Sequence, residues 1–112
     1  MTQEEKQGKG HLHPITQFLR EAIGIFSEMG FVVAQGPELE TEFYNFDALN
    51  IPADHPSRDM QDTFWIKTGK KESAGNRPVM RTQTSSVQVR FLEKNRDSLP
   101  CAIIVPGKVF RN

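Results

Sequence analysis

Little in this chain is present in excess, and each shortage removes a class of explanation. Only one cysteine, Cys101, occurs among 112 residues, so no internal disulfide can form and no zinc-type cysteine pair exists. It lies in the apolar run Cys101-Ala-Ile-Ile-Val105, where a buried, inert thiol is expected. A reducing cytoplasm fits that usage. Neither sign of charge dominates: Lys plus Arg and Asp plus Glu number 14 each, which leaves no global field to attract a nucleic acid. Any contact with RNA would have to be local. No apolar run approaches the ~20 residues of a membrane-spanning helix, and the leading MTQEEKQGKG lacks the apolar stretch of a signal peptide. These features read as a soluble protein with no membrane partner. Hydrophobic residues at 37%, even with the 8 glycines added, fall slightly under the ~45–50% of globular domains, so a modest core is expected. Internal repeats and a Gly-x-x-x-x-Gly-Lys phosphate loop are also missing.

What the chain does have is concentrated between Gly36 and Trp65, GPELETEFYNFDALNIPADHPSRDMQDTFW. Pro37, Pro52 and Pro56 each fix φ and remove a backbone donor, so neither one continuous helix nor a central strand can run through this stretch. Yet Phe43, Tyr44, Phe46, Leu49, Ile51, Phe64 and Trp65 are too many large apolar groups for a disordered segment. An ordered, functional loop is expected. Within it, Glu38, Glu40 and Glu42 alternate like the wet face of a strand, and Asp47, Asp54 and Asp59 are expected to hold the loop through bonds to its backbone. His11, His13 and His55 lack the spacing and the cysteine partners of a metal site and read as polar contacts.

Around this stretch the elements are short. Residues 1–10 are polar and glycine-punctuated and read as a disordered leader. Ile15, Phe18, Leu19, Ala22, Phe26 and Met29 recur at helical spacing after Pro14, and Gly30 ends that helix. Gly24 inside it suggests close packing at that turn or a weaker helix. Phe31 to Ala34 reads as a short buried strand. Strands are also expected over Thr63–Thr68, from Pro78 to Arg81, over Ala102–Val105, and beginning at Lys108. Thr84 or Ser85 can cap a helix over Ser86–Lys94 that turns Val87, Phe91 and Leu92 inward.

Several segments carry a resemblance: HLHPITQ (11–17), GF-x-V-x-x-GPELE (30–40), YNFDALNIPADHP (44–56), RD-x-QDTF (58–64), RT-x-TS-x-VQVR (81–90) and PGKVFRN (106–112). Together they closely resemble the catalytic domain of the α subunit of bacterial-type phenylalanine–tRNA ligases, over essentially residues 11–112. Those enzymes are class II synthetases, so the resemblance implies an α+β fold, part of an antiparallel sheet flanked by helices. It implies ATP and phenylalanine as substrates, Mg²⁺ held by residues outside this segment, and tRNA(Phe) and a β subunit as partners. The helix before Gly30 and the strand after it resemble the first class II motif, which builds subunit contact. Residues 108–112 resemble the opening of the second motif, where Arg111 would hold the ATP α-phosphate and the amino-acid carboxylate. Because the rest of that motif is not present, the piece alone is expected to be inactive.

The same resemblance makes Gln83, Ser85 and Gln88 substrate-binding residues around the amino group, and places Gln61 beside the substrate at a variable position. Three residues depart from the family pattern: Gln83 replaces His, Ser86 replaces Pro, and Lys108 replaces Arg. Ser86 loses a pre-set φ at a helix start, and Lys108 keeps charge without the planar fork. A different class of reading competes with the ligase: a non-catalytic binding or regulatory module, or an inactive truncated product, derived from such a domain.

Overall fold

The computed structural model describes residues 10–69 and 71–112; the expected leader, apart from Gly10, lies outside the described residues. Helix α1 spans Pro14–Glu28, with Pro14 in the first turn and His13 as N-cap, its Nδ1 accepting from the Ile15 N–H at 3.1 Å. Its end is equally local. The Phe31 N–H reaches the Phe26 carbonyl at 3.0 Å across Gly30, which adopts φ +92°, and the two phenyl rings meet edge-on at 5.2 Å. That is a glycine-terminated helix closed by an apolar clasp. Gly24 proves to face open space, since a Cβ there would meet nothing within 4 Å, so the close-packing reading does not hold. None of the residues of α1 is buried.

Two short strand pairs follow. Strand β1 (Val32–Val33) pairs in parallel with β4 (Ile103–Ile104), so the chain between them forms one long crossover. Strand β2 (Leu39–Thr41) pairs antiparallel with β3 (Pro78–Met80), placing Glu40 opposite Val79. The fold is therefore α+β, but the expected antiparallel sheet is represented by one antiparallel and one parallel pair. Three strand expectations need correction. Val32 and Val33 are exposed rather than buried, because among the described residues no layer covers β1. Over Thr63–Thr68 the pairing among the described residues shrinks to an isolated bridge of Trp65 with Val79, carried by the Ile66 N–H on the Pro78 carbonyl and the Met80 N–H on the Phe64 carbonyl, both at 3.0 Å. Residues 108–112 form no strand; the Phe110 N–H meets only the Arg81 carbonyl, at 2.9 Å.

Helix α2 (Glu42–Asn45) is capped by the Thr41 hydroxyl, which accepts from the Tyr44 N–H at 3.3 Å. Helix α3 spans Ser86–Lys94, as its spacing predicts. Val87 is buried, whereas Leu92 is exposed, contrary to expectation. Ser85 occupies the N-cap position in helical geometry and makes no side-chain capping bond. With Ser in place of Pro at 86, nothing pushes Ser85 out of that geometry, since only a following proline disfavours it. The Ser86 hydroxyl is buried without a partner. Cys101 is exposed, because the strand after it is too short to draw it under a layer.

The apolar core among the described residues is Ala34, Phe46, Val79 and Val87; buried beside it are Glu40, Glu42, Arg58 and Arg81. Glu40 and Glu42 thus overturn the wet-face reading, and only Glu38 of the three is exposed. Buried carboxylates need partners, and both have arginines. Glu40 takes a two-pronged contact from Arg90, with Nε donating to Oε2 at 3.0 Å. Glu42 takes Arg58 Nη1 at 2.9 Å and Arg77 Nη2 at 3.0 Å on the same oxygen, Oε2. Arg58 also donates from Nε to the Pro52 carbonyl at 3.0 Å, and from Nη2 to Asp47 Oδ1 at 2.6 Å and to the Ile51 carbonyl. One guanidinium therefore closes most of the proline-rich stretch. Asp47 acts through this ion pair rather than a backbone bond, while Asp59 accepts from the Gln61 N–H at 3.1 Å as anticipated. The aromatic residues stack on the same cations: Arg58 lies 4.8 Å from the Phe46 ring centre, Arg77 3.9 Å from that of Trp65, and Arg90 4.0 Å from that of Tyr44.

Two stability outcomes follow from these contacts. In thermal melts of this chain, Gly24→Ala is expected to gain about 1 kcal/mol of helix propensity. Gly30→Ala is expected to lose ~1–2 kcal/mol by forcing a Cβ into positive φ; equal midpoints for the two variants would contradict this account. The Arg77 hydrogen bond, assisted by the charges of Arg77 and Arg58, holds Glu42 below its ordinary value of 4.5 against the opposing effect of burial. A depressed carboxylate adds stability that is complete above its unfolded value and is lost as pH falls through the folded one. Stability relative to Glu42→Gln is therefore expected to be level from neutral pH down to about 5 and to shrink below about 4. A gap that stays constant down to pH 2 would remove Glu42 from the acid-sensitive set.

Candidate substrate site

Gln83 and Arg111 line one recess of about 330 Å³, together with Ser57, Asp62, Thr82 and Phe110. Gln83 is delivered by the turn after β3 and is tied at both ends. Its Nε2 donates to the Asn45 carbonyl at 2.9 Å, and its Oε1 accepts from the Thr82 hydroxyl at 3.0 Å. Asn45, fully buried at the end of α2, completes the set: its Nδ2 donates to Thr82 Oγ1 at 3.1 Å, and its Oδ1 accepts the Thr82 N–H at 3.2 Å. The Gln83 amide is held in one orientation with acceptor capacity left on Oε1. Arg111 sits opposite in character. Its side chain is 82% exposed and makes one ion pair, Nη2 to Asp62 Oδ1 at 3.2 Å. An exposed pair of that kind contributes little to stability, which leaves the guanidinium available to an incoming anion. The recess carries one cation and one anion.

Ser85 and Gln88 line a separate recess of about 380 Å³ on the first turn of α3, with Thr84 and an apolar lining that includes Phe91, Ile103 and Val105. Of the five residues inferred from resemblance, four are thus divided: Gln83 with Arg111, Ser85 with Gln88. Gln61 is exposed and lines neither recess. Two of the three histidines act locally, His55 Nδ1 accepting from the Ser57 N–H at 3.1 Å much as His13 does at α1.

The whole chain, residues 1–112, matches the model of the tRNA synthetases class II core domain (F). The chain belongs to that class II core family. Among curated relatives it is similar to the phenylalanine–tRNA ligase α subunit of Desulfitobacterium hafniense, strain DSM 10664 / DCB-2, with 51% identity over 104 residues, covering 93% of this chain and 28% of the relative. The same subunit from Syntrophus aciditrophicus is 53% identical over 104 residues, again 93% of this chain and 28% of the relative. That of Gloeobacter violaceus is 52% identical over 102 residues, 91% of this chain and 27% of the relative. The chain spans little more than a quarter of the length of these relatives.

Among the described residues there is no group of three or more His, Cys, Asp or Glu side chains that could hold a metal. Asp62 is the carboxylate lining the Gln83–Arg111 recess, and it is engaged with Arg111. No helix among the described residues is long and apolar enough to cross a membrane. The residues that sequence reasoning passed over are the structural arginines, Arg58, Arg77, Arg81 and Arg90. A signal existed: three alternating glutamates beside aromatics call for cations wherever the carboxylates are buried.

Proposed function

We propose that this chain is the part of a phenylalanine–tRNA ligase α subunit that binds the charged end of phenylalanine and the α-phosphate of ATP, within an enzyme that makes phenylalanyl-adenylate and passes the acyl group to tRNA(Phe). The observation that carries this is the pairing of an exposed, planar cation, Arg111, with an oriented amide, Gln83, in one recess. The carboxylate of phenylalanine attacks the α-phosphorus and pyrophosphate leaves, so no enzyme nucleophile is needed. What the site must do is hold both anionic groups in line and meet the charge that develops between them. The Arg111 fork suits that role once Asp62 yields it to the stronger anion. The remaining acceptor on Gln83 suits the substrate ammonium, while Ser85 and Gln88, on the neighbouring recess, extend the binding surface toward the rest of the substrate. Mg²⁺, held outside these residues, would neutralise the triphosphate. The exposed apolar side chains of α1 and β1, Ile15, Phe18, Ile25, Val32 and Val33, suit a subunit contact, with a β subunit completing a cytoplasmic enzyme.

In an α subunit carrying this segment and assembled with its β subunit, Arg111→Ala is expected to lower phenylalanine-dependent ATP–pyrophosphate exchange by about 10²–10³-fold, the usual effect of removing a group aimed at developing charge. Lys108→Arg is expected to change little, because the contact made by Lys108 is through its backbone carbonyl. Turnover of the Arg111→Ala enzyme close to the parent's would remove Arg111 from the site. Gln83→His is expected to keep phenylalanine affinity within about tenfold at pH 8, since a neutral imidazole also offers one donor and one acceptor. At pH 6 its affinity is expected to fall, because the protonated ring loses the acceptor and repels the ammonium. Tighter binding by the His variant on acidification would place position 83 against the carboxylate instead.

A further inference from the structure

Arg81 is buried, at 4% exposure, and its guanidinium meets no carboxylate: the ion pairs among the described residues belong to Arg58, Arg77, Arg90 and Arg111. Its acceptors are neutral. Nε donates to the Lys108 carbonyl at 2.7 Å and Nη1 to the Gly36 carbonyl at 3.3 Å. Burying a cation on carbonyls alone is a costly way to hold a fold together, so stability is a poor reason for an arginine here. Its geometry supplies a better one. The main chain of the same residue donates to the Glu38 carbonyl at 2.9 Å and accepts the Phe110 N–H at 2.9 Å. Side chain and backbone together thus grip both the 36–38 segment and the 108–110 segment, and Arg111 is the next residue along.

The grip matters because the printed backbone contacts of the 108–110 segment, at the Lys108 carbonyl and the Phe110 N–H, are both made to Arg81. Gly107 is part of the arrangement: a Cβ there would stand 2.4 Å from Arg81 Nη2, so any side chain at 107 would have to displace the guanidinium. We propose that Arg81 is a positioning residue for Arg111, setting the path of the 107–110 backbone from which the Arg111 fork is presented to its anion. This rests on the reading of Arg111 as the phosphate- and carboxylate-holding residue. A lysine at 81 would keep the charge but could not bond two carbonyls from one rigid plane.

The test uses the α subunit carrying this segment, assembled with its β subunit, and measures phenylalanine-dependent ATP–pyrophosphate exchange with kcat and KM for ATP separated. Arg81→Lys is expected to lower kcat at least tenfold with KM within about threefold, the pattern of an interaction realised in the transition state. Gly107→Ala, which crowds the same guanidinium from the other side, is expected to match it, and Gly24→Ala to stay at the parental rate. In an Arg111→Ala background, Arg81→Lys is expected to add less than about twofold, since its effect passes through Arg111. An undiminished loss in that background overturns the proposal while leaving Arg111 in the site. So does parental turnover of both Arg81→Lys and Gly107→Ala. If Arg81→Lys does not assemble, Gly107→Ala alone carries the same comparison in the two backgrounds. Near-parental exchange by Arg111→Ala itself overturns the reading of Arg111, and with it this one.

Discussion

A single carboxylate, that of Glu42, holds two arginines, one from within the central stretch and one from beyond it, and much of the local order depends on it. Arg58 arrives from the proline-rich loop and Arg77 from the start of β3, both onto Oε2. Each brings an aromatic ring with it, Phe46 and Trp65, whose centres stand 5.7 Å apart. Where the apolar core among the described residues is four side chains, this cluster does what a larger core does elsewhere. The cost is conditional stability. A buried pair broken on one side leaves an uncompensated charge, typically a loss of 3–5 kcal/mol.

The same device recurs around the candidate site. Glu40 and Arg90 fix β2 against α3, the helix whose first turn carries Ser85 and Gln88. Asn45, Thr82 and Gln83 form a neutral network that orients the Gln83 amide. Arg81 does it with carbonyls on the segment that ends at Arg111. Polar groups satisfied inside the fold are rigid because each has few alternative partners, whereas Arg111 has one exposed partner and can exchange it. Rigidity behind the site and a replaceable contact within it suit a reaction driven by positioning and charge.

Local signals in the sequence were legible where the physics is local. Pro14, the spacing of Ile15, Phe18 and Ala22, and Gly30 predict α1 nearly to the residue, because capping and positive φ involve only neighbours. The helix over Ser86–Lys94 was legible for the same reason. The recess residues Gln83 and Arg111 were accessible through the motifs around them. Burial was not: Val32 and Val33 alternate with nothing and read as core, yet they are exposed because no second layer among the described residues covers them. Cys101 and Leu92 misled in the same way. Glu40 and Glu42 misled in the other direction, since charge patterning predicts solvent unless the partner cations are known, and Arg90 lies 50 residues from Glu40.

By itself, then, the sequence determined the helices, the turns, the kinship with class II synthetase cores and the residue types available to the site, all of which rest on short-range preferences or on motifs. Tertiary structure alone decided that Ser85 and Gln88 face a different recess from Gln83 and Arg111, that Gln61 stands outside both, and that two of three alternating glutamates are buried. It also decided that Arg81 reaches the backbone beside Arg111. The physical reason is one of range: a side chain's partner is chosen by which distant segment the fold brings within about 3 Å of it, and nothing in its immediate neighbours encodes that distance.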